Sequence, residues 1–205
     1  MNRAAVAGVL AGCITAVLSQ ATAAGQNPNA EHLETGSAQN AAGNTVSYRI
    51  RLLPVASFPD LPGGVAAELA RRQCMIPQSF EAKQPENIIH GAFRAPGSSD
   101  WAALCSSAGA TTLLVFFAGQ LQSPVSLRTQ PDSVWLGAEP GSSLFGSAWG
   151  IAVRPAAELR DAPQFRHAAP FDHDAIDDAR LERSLTIHYY QSGKWIHLSP
   201  GDSSD

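Results

Sequence analysis

The chain has no basic cluster: 14 Lys and Arg stand against 18 Asp and Glu, for a formal net charge of −4 and an isoelectric point near 5.8. That balance argues against the basic face by which nucleic acids and anionic membranes are held. No Gly-Lys-Ser/Thr phosphate loop and no Gly-x-Gly-x-x-Gly after a strand are present, which disfavours nucleotide enzymes. A Gly-x-Ser-x-Gly elbow is missing as well, and with it the commonest local mark of a serine hydrolase. Nothing repeats at a period of about 20 to 50 residues, so a solenoid or propeller has no basis. No apolar run reaches the roughly 20 residues of a membrane span. Cysteine is scarce: only Cys13, Cys74 and Cys105 occur.

What is present begins with an export signal. Arg3 is the lone early charge, residues 4–18 carry none, and Ala21-Thr22-Ala23-Ala24 offers the small residues a signal peptidase needs. A cleavable signal over residues 1–24 is the expectation, and it implies a periplasmic or secreted protein. Leu10-Ala11-Gly12-Cys13 also resembles a lipobox, which would acylate Cys13 and anchor the chain to lipid. The residues after Cys13 stay apolar, however, where a lipoprotein turns polar, so cleavage fits better than anchoring.

Residues 25–44 are poor in large apolar side chains and read as a flexible leader. A single globular domain is expected over 45–200, then a polar tail over 201–205. Val46, Tyr48, Ile50 and Leu52 alternate with polar neighbours, the period-2 mark of a half-buried strand. Val65, Ala66, Leu69 and Ala70 recur at helical spacing, and Glu68 and Arg72 make an i,i+4 pair on the other face. Short β-rich runs over 87–93, 101–106 and 111–117 follow, with weaker strand candidates at 125–128, 134–137 and 147–153 and a helical turn at 155–159. Runs 184–190 and 194–198 flank Gln191-Ser192-Gly193 as a β-hairpin. The sum is an α+β fold, mainly antiparallel sheet with one or two short helices. After export, Cys74 and Cys105 are free to form one disulfide; two buried thiols or a soft-metal pair are the alternatives.

Four stretches taken together resemble a family of small exported bacterial proteins of unknown function: Cys74-Met75-Ile76-Pro77-Gln78, Ile89-His90-Gly91-Ala92-Phe93, Asp100-Trp101-Ala102-Ala103-Leu104-Cys105-Ser106, and Gly193-Lys194-Trp195. The resemblance spans about residues 58–198 and implies no activity. Gly91, Phe93, Gly97, Asp100 and Trp101 also resemble, in order, a single FG-GAP or VCBS-type motif. The loop between Phe93 and Asp100 has no carboxylate, whereas calcium takes 6 to 8 oxygen ligands, so calcium binding does not carry over.

The densest functional side chains are His167, Asp172, His173, Asp174, Asp177 and Asp178. Imidazoles and carboxylates suit a divalent ion, and His167, Asp172, His173 and Asp174 form the candidate metal set. The competing reading is a solvated helix starting near Asp174, with Asp174 and Asp178 on one face as ordinary first-turn acids. His188 and His197 lie on the two hairpin strands and can meet across the ladder, or simply form its exposed polar face. Trp101, Trp135, Trp149, Trp195, Phe116 and Phe117 would line a binding groove or fill a core. Cys105 as a nucleophile would need a free thiol.

No catalytic residues and no cofactor are assigned. The first functional expectation is a non-catalytic, disulfide-stapled domain that binds a protein or envelope component. The alternative is a metal-assisted hydrolase using the His167 to Asp178 region.

Overall fold

The computed structural model describes residues 30–39, 43–165, 170–181 and 183–199. The expected signal segment, Cys13, His167 and the tail 201–205 lie outside the described residues. In chain order the elements are β1 (His32–Gln39), β2 (Thr45–Pro54), α1 (Gly63–Arg71), β3 (Met75–Gln78), β4 (Ile88–Gly91), β5 (Asp100–Ser107), β6 (Ala110–Phe116), β7 (Val125–Pro131), β8 (Leu136–Ala138), β9 (Phe145–Ser147), β10 (Trp149–Arg154), α2 (Ala156–Asp161), β11 (Ala175–Arg180), β12 (Ser184–Gln191) and β13 (Lys194–Leu198). The fold is α+β and mainly antiparallel, with one disulfide joining Cys74 and Cys105. No helix among the described residues is long and apolar enough to cross a membrane.

The strands form two sheets. The larger runs β7-β6-β5-β3-β2-β9-β8, with β1 paired to β2 and β4 to β5; the smaller is the meander β10-β11-β12-β13. Two-residue loops make the tight hairpins. Ala108 and Gly109 (φ 53° and 79°) join β5 to β6, and Ser192 and Gly193 (φ 51° and 83°) join β12 to β13. Positive φ at both central positions is the turn whose twist matches that of the flanking strands.

Alternation along β5 and β6 explains the layering. Ala102, Leu104, Leu113 and Val115 face the smaller sheet, where they meet Trp149, Ile151 and Ile176. The intervening Ala103, Cys105, Leu114 and Phe116 face α1 through Val65 and Leu69. Both faces are covered, so these strands read as nearly continuous apolar runs rather than a clean polar–apolar alternation. On the far side of the smaller sheet, Leu159 of α2 packs with Phe165, Phe171, Ile187 and Tyr189. Asn87 clasps the two sheets together: its Nδ2 donates to Pro77 O (2.7 Å) and Trp149 O (3.2 Å), and its Oδ1 accepts from Ile151 N (3.0 Å).

Helix α1 stops in a Schellman arrangement. Gln73 takes a left-handed φ of 57°, Gln73 N donates to Ala70 O, and Cys74 N donates to Leu69 O. That turn leads the chain from the helix into β3 and sets Cys74 against β5.

The expected Glu68–Arg72 pair forms, and Glu68 within it is buried, gripped by Arg71 (2.7 Å through Nε and through Nη2) and Arg72 (2.7 Å through Nε). Hydrogen bonds from Arg71 and then Arg72 hold its carboxyl down to about 2. The folded pKa lies below the unfolded one, so this stabilisation is present above about pH 4.5 and lost as pH falls toward about 2. Urea unfolding of Glu68→Gln beside the wild type is expected to show a flatter stability profile in that window. Parallel profiles would overturn the assignment.

The leader expectation is corrected over 32–39, which form β1. Weak hydrophobicity argued for disorder, but β1 pairs with β2 along its whole length, from His32 with Leu52 to Gln39 with Thr45, so backbone hydrogen bonds hold it. Gly36 lets Tyr48 cross close by: a Cβ there would come within 2.8 Å of the Tyr48 hydroxyl, which bonds Glu34 at 3.2 Å.

Candidate functional site

The acidic run does not start a helix. Residues 175–180 form β11 between β10 and β12, so neighbouring acids point to opposite faces. Asp177 turns outward to Arg154 (2.6 Å and 3.1 Å), while Asp178 turns inward between the sheets and is fully buried. Asp174 is bound backward to the residue that follows β4: Ala92 N donates to its Oδ2 at 3.1 Å. Among the described members of the proposed metal set, only Asp172 and His173 meet. Among the described residues no three His, Cys, Asp or Glu side chains gather as an ion would require, and His167 lies outside those residues. Cys105 is held in the disulfide and is no free nucleophile.

Asp172 and His173 form one wall of a cleft of about 490 Å³. The segment Arg94-Ala95-Pro96 forms a lip of the same cleft, which is also lined by Tyr190, Gln191, Ser192 and Gly193 of the β12–β13 turn. His173 Nδ1 lies 2.6 Å from Asp172 Oδ1, and a carboxylate only accepts, so Nδ1 carries a proton. The Tyr189 hydroxyl donates to the same Asp172 oxygen at 3.0 Å, and its ring stacks on His173 with centroids 4.4 Å apart. His173 is only 7% exposed, and its Nε2 is buried with no hydrogen-bond partner. Such an atom costs about 1–3 kcal/mol if nothing meets it. The bonds from His173 and Tyr189 hold Asp172 below the usual carboxylate range, and burial, reinforced by Asp172, raises the Tyr189 phenol. Ser192 also lines the cleft, yet no hydrogen bond links it to His173, so no serine nucleophile is assembled there.

The Arg94 lip is held firmly. Asp100, wholly buried, accepts from Arg94 N (2.8 Å) and Ser98 Oγ through one oxygen and from Ala118 N (2.9 Å) through the other. The position singled out by its FG-GAP-like spacing is thus a loop clamp built from donors of this chain. The Arg94 guanidinium sits 5.3 Å from the centroid of the Phe117 ring. That ring packs in turn on Tyr190 (5.0 Å) and Trp195 (6.0 Å).

A second polar constellation lies between the sheets. The hairpin's polar face, a candidate for solvent exposure, turns inward at His188, which is 1% exposed. His188 Nε2 donates to Asp178 Oδ2 (2.9 Å), and its Nδ1 lies 2.8 Å from His197 Nδ1 on the edge strand. Trp149 Nε1 donates to Asp178 Oδ1 (2.7 Å), and Arg128 Nη1 lies 3.1 Å from Oδ2. His188 and His197 meet across the hairpin ladder, one of the two arrangements expected for them; that Asp178 joins them follows from the register of β11 against β12, which no local pattern discloses. The aromatics divide likewise: Trp135 and Trp149 stack inside the core at 4.0 Å, Phe116 and Trp101 pack toward α1, and Phe117 and Trp195 alone stand behind the cleft through Tyr190.

Comparison with protein-family models, with curated proteins and with solved structures gave no match.

Proposed function

We propose that the mature chain is an exported, disulfide-stapled binding domain, periplasmic or secreted, that receives part of an envelope component in the cleft between the Arg94 lip and Asp172–His173. The observation that carries this reading is the cleft itself, in which the largely exposed Asp172 carboxylate and the Arg94 guanidinium, free of any carboxylate partner among the described residues, stand among Tyr189 and Tyr190. Cleft volume falls within the range of small-ligand sites. Two tyrosines and charges of both signs suit recognition. A reacting site would also need a nucleophile, a base in contact with it and donors for developing charge, and the lining residues make no such set.

The metal-assisted hydrolase remains as a second reading because of one feature: a carboxylate on His173 Nδ1 is how metal-binding imidazoles are commonly oriented. Protein exported natively and purified without chelator separates the two. The binding reading expects no stoichiometric metal, no hydrolase turnover, and ligand-induced shifts of the His173 and Tyr190 resonances with soluble envelope glycans. A ligand at about a hundred times its Kd should raise the unfolding free energy by about 2.7 kcal/mol. One bound metal per chain, or turnover abolished by His173→Ala, would replace this reading with the enzyme.

A further inference from the structure

We propose that the His188–His197 contact is a proton-operated latch on the edge strand β13, which stays on β12 while at most one of the two imidazoles is charged and parts from it when both are. The inference stands apart from the cleft and holds whether or not a ligand enters it.

Two ring nitrogens 2.8 Å apart hold one proton between them, because one Nδ1 must donate and the other accept. The far side of His188 is already committed. Its Nε2 donates to Asp178 Oδ2, which also meets Arg128, while Asp178 Oδ1 takes the Trp149 indole. The proton count of the pair therefore changes at His188 Nδ1 and at the two nitrogens of His197. One proton on these three atoms leaves both rings neutral, two protons charge one ring, and in either case the contact closes. Three protons put a hydrogen on each facing Nδ1, two donors meet, and the rings must separate.

Strand β13 is the outermost strand of the smaller sheet and pairs with β12 alone, over Lys194–Leu198, with His188 directly opposite His197. Ile196 and Leu198, on the α2 side, are only partly buried. His188 is buried and His197 exposed, so acid reaches the pair through His197. The groups around the two rings come from four other positions in the sheets: Asp178 of β11, Arg128 of β7, Trp149 of β10, and Thr186 of β12, which accepts from Arg128 at 3.4 Å. Asp178 is the one carboxylate among them, and Arg128 already opposes its charge. With both rings protonated, three cations surround that single carboxylate. Burial, then His188 and Arg128, already set His197 below the usual histidine value. Like charges directly opposite each other destabilise a ladder, and β13 has no second neighbour strand to keep it in place, whereas β11 lies between β10 and β12.

The test follows amide exchange in the full chain by NMR from about pH 8 to about pH 4.5, a range that spans histidine titration, with imidazole nitrogen shifts recorded alongside. Below about pH 6.5, protection of residues 194–198 is expected to fall by about tenfold per pH unit where opening takes up one proton and about a hundredfold where it takes up two. Residues 176–179 of β11 should keep theirs. His197→Gln retains a side-chain donor for His188 Nδ1 but has no titrating ring, and should leave β13 protected throughout. Lys194→Gln, on the same strand, should open as the wild type does. The wild-type comparison of β13 with β11 decides the matter even where a variant fails to fold. Shifts showing both rings charged while residues 194–198 stay protected would mean that His197 turns outward alone, which overturns the latch. Equal loss of protection in β11 and β13 overturns it as well, since that is unfolding of the whole sheet, and so does an acid response that survives His197→Gln.

Discussion

Replacing Asp178 with alanine is expected to lower the unfolding free energy by about 3–5 kcal/mol, the usual cost of breaking a buried ion pair by removing one partner. The Asp178 side chain has no exposure and carries three contacts: Trp149 Nε1, His188 Nε2 and Arg128 Nη1. Alanine leaves two buried N–H donors unpaired and Arg128 without its counter-charge. Asparagine keeps an acceptor for the indole and should cost less. Urea denaturation of both variants checks this; a loss below about 1 kcal/mol for alanine would place the network among energetically neutral surface pairs. A pH arm sharpens the test. His197 is exposed as a residue, but the ring edge that meets His188 is turned inward. Burial, then the charges of His188 and Arg128, push its pKa below 6.5, and Asp178 alone opposes them. An imidazole with a depressed folded pKa gives stability that is full above the unfolded value and declines as pH falls below about 6.5. Asp178→Ala removes the one opposing charge, so the variant should lose stability over a wider acid range than the wild type.

The same network shows why sequence legibility ended where it did. The short apolar run of β5, the β-branched and aromatic residues of β6 and the Ser192-Gly193 hairpin were readable because local chemistry alone specifies them. The expected export, which leaves Cys74 and Cys105 as the two remaining cysteines, pointed to the disulfide. Three features were not readable, each for a non-local reason. Strand β1 owes its order to pairing with β2 rather than to its own side chains. The Asp174 to Asp178 spacing fits a helix face as well as a strand, and the position of β11 between β10 and β12 decides it. Alternation in β12 correctly separated Leu185, Ile187 and Tyr189 from His188 and Tyr190, but could not foresee that both faces would be covered. The cleft was half visible: Asp172 and His173 stood out by residue type, whereas Arg94 comes from a loop more than seventy residues earlier, in a stretch noticed for its glycine spacing rather than its charge.

Loss of the disulfide through Cys74→Ala with Cys105→Ala is expected to cost about 3–4 kcal/mol, the loop-closure entropy for the observed separation of 31 residues. Both sulfurs are buried against Val65, Leu69, Leu114 and Phe116, so alanine is the suitable replacement; serine would add buried hydroxyls. Unfolding of the oxidised wild type, the reduced wild type and the double variant separates the cross-link from packing. Reduction alone should give most of the loss, and a difference below about 1 kcal/mol between oxidised and reduced protein would reject the entropic account. The bridge also bears on recognition. The segment it closes contains β3, β4 and the Arg94 lip, and Cys105 lies in the strand that opens with Asp100, the clamp of that lip. Reduction should therefore loosen the Arg94 wall before it reaches the Asp172–His173 wall, which is built on the smaller sheet. If the cleft works as proposed, the reduced but still folded protein loses ligand-induced shifts at the Arg94 lip, while those at His173 persist.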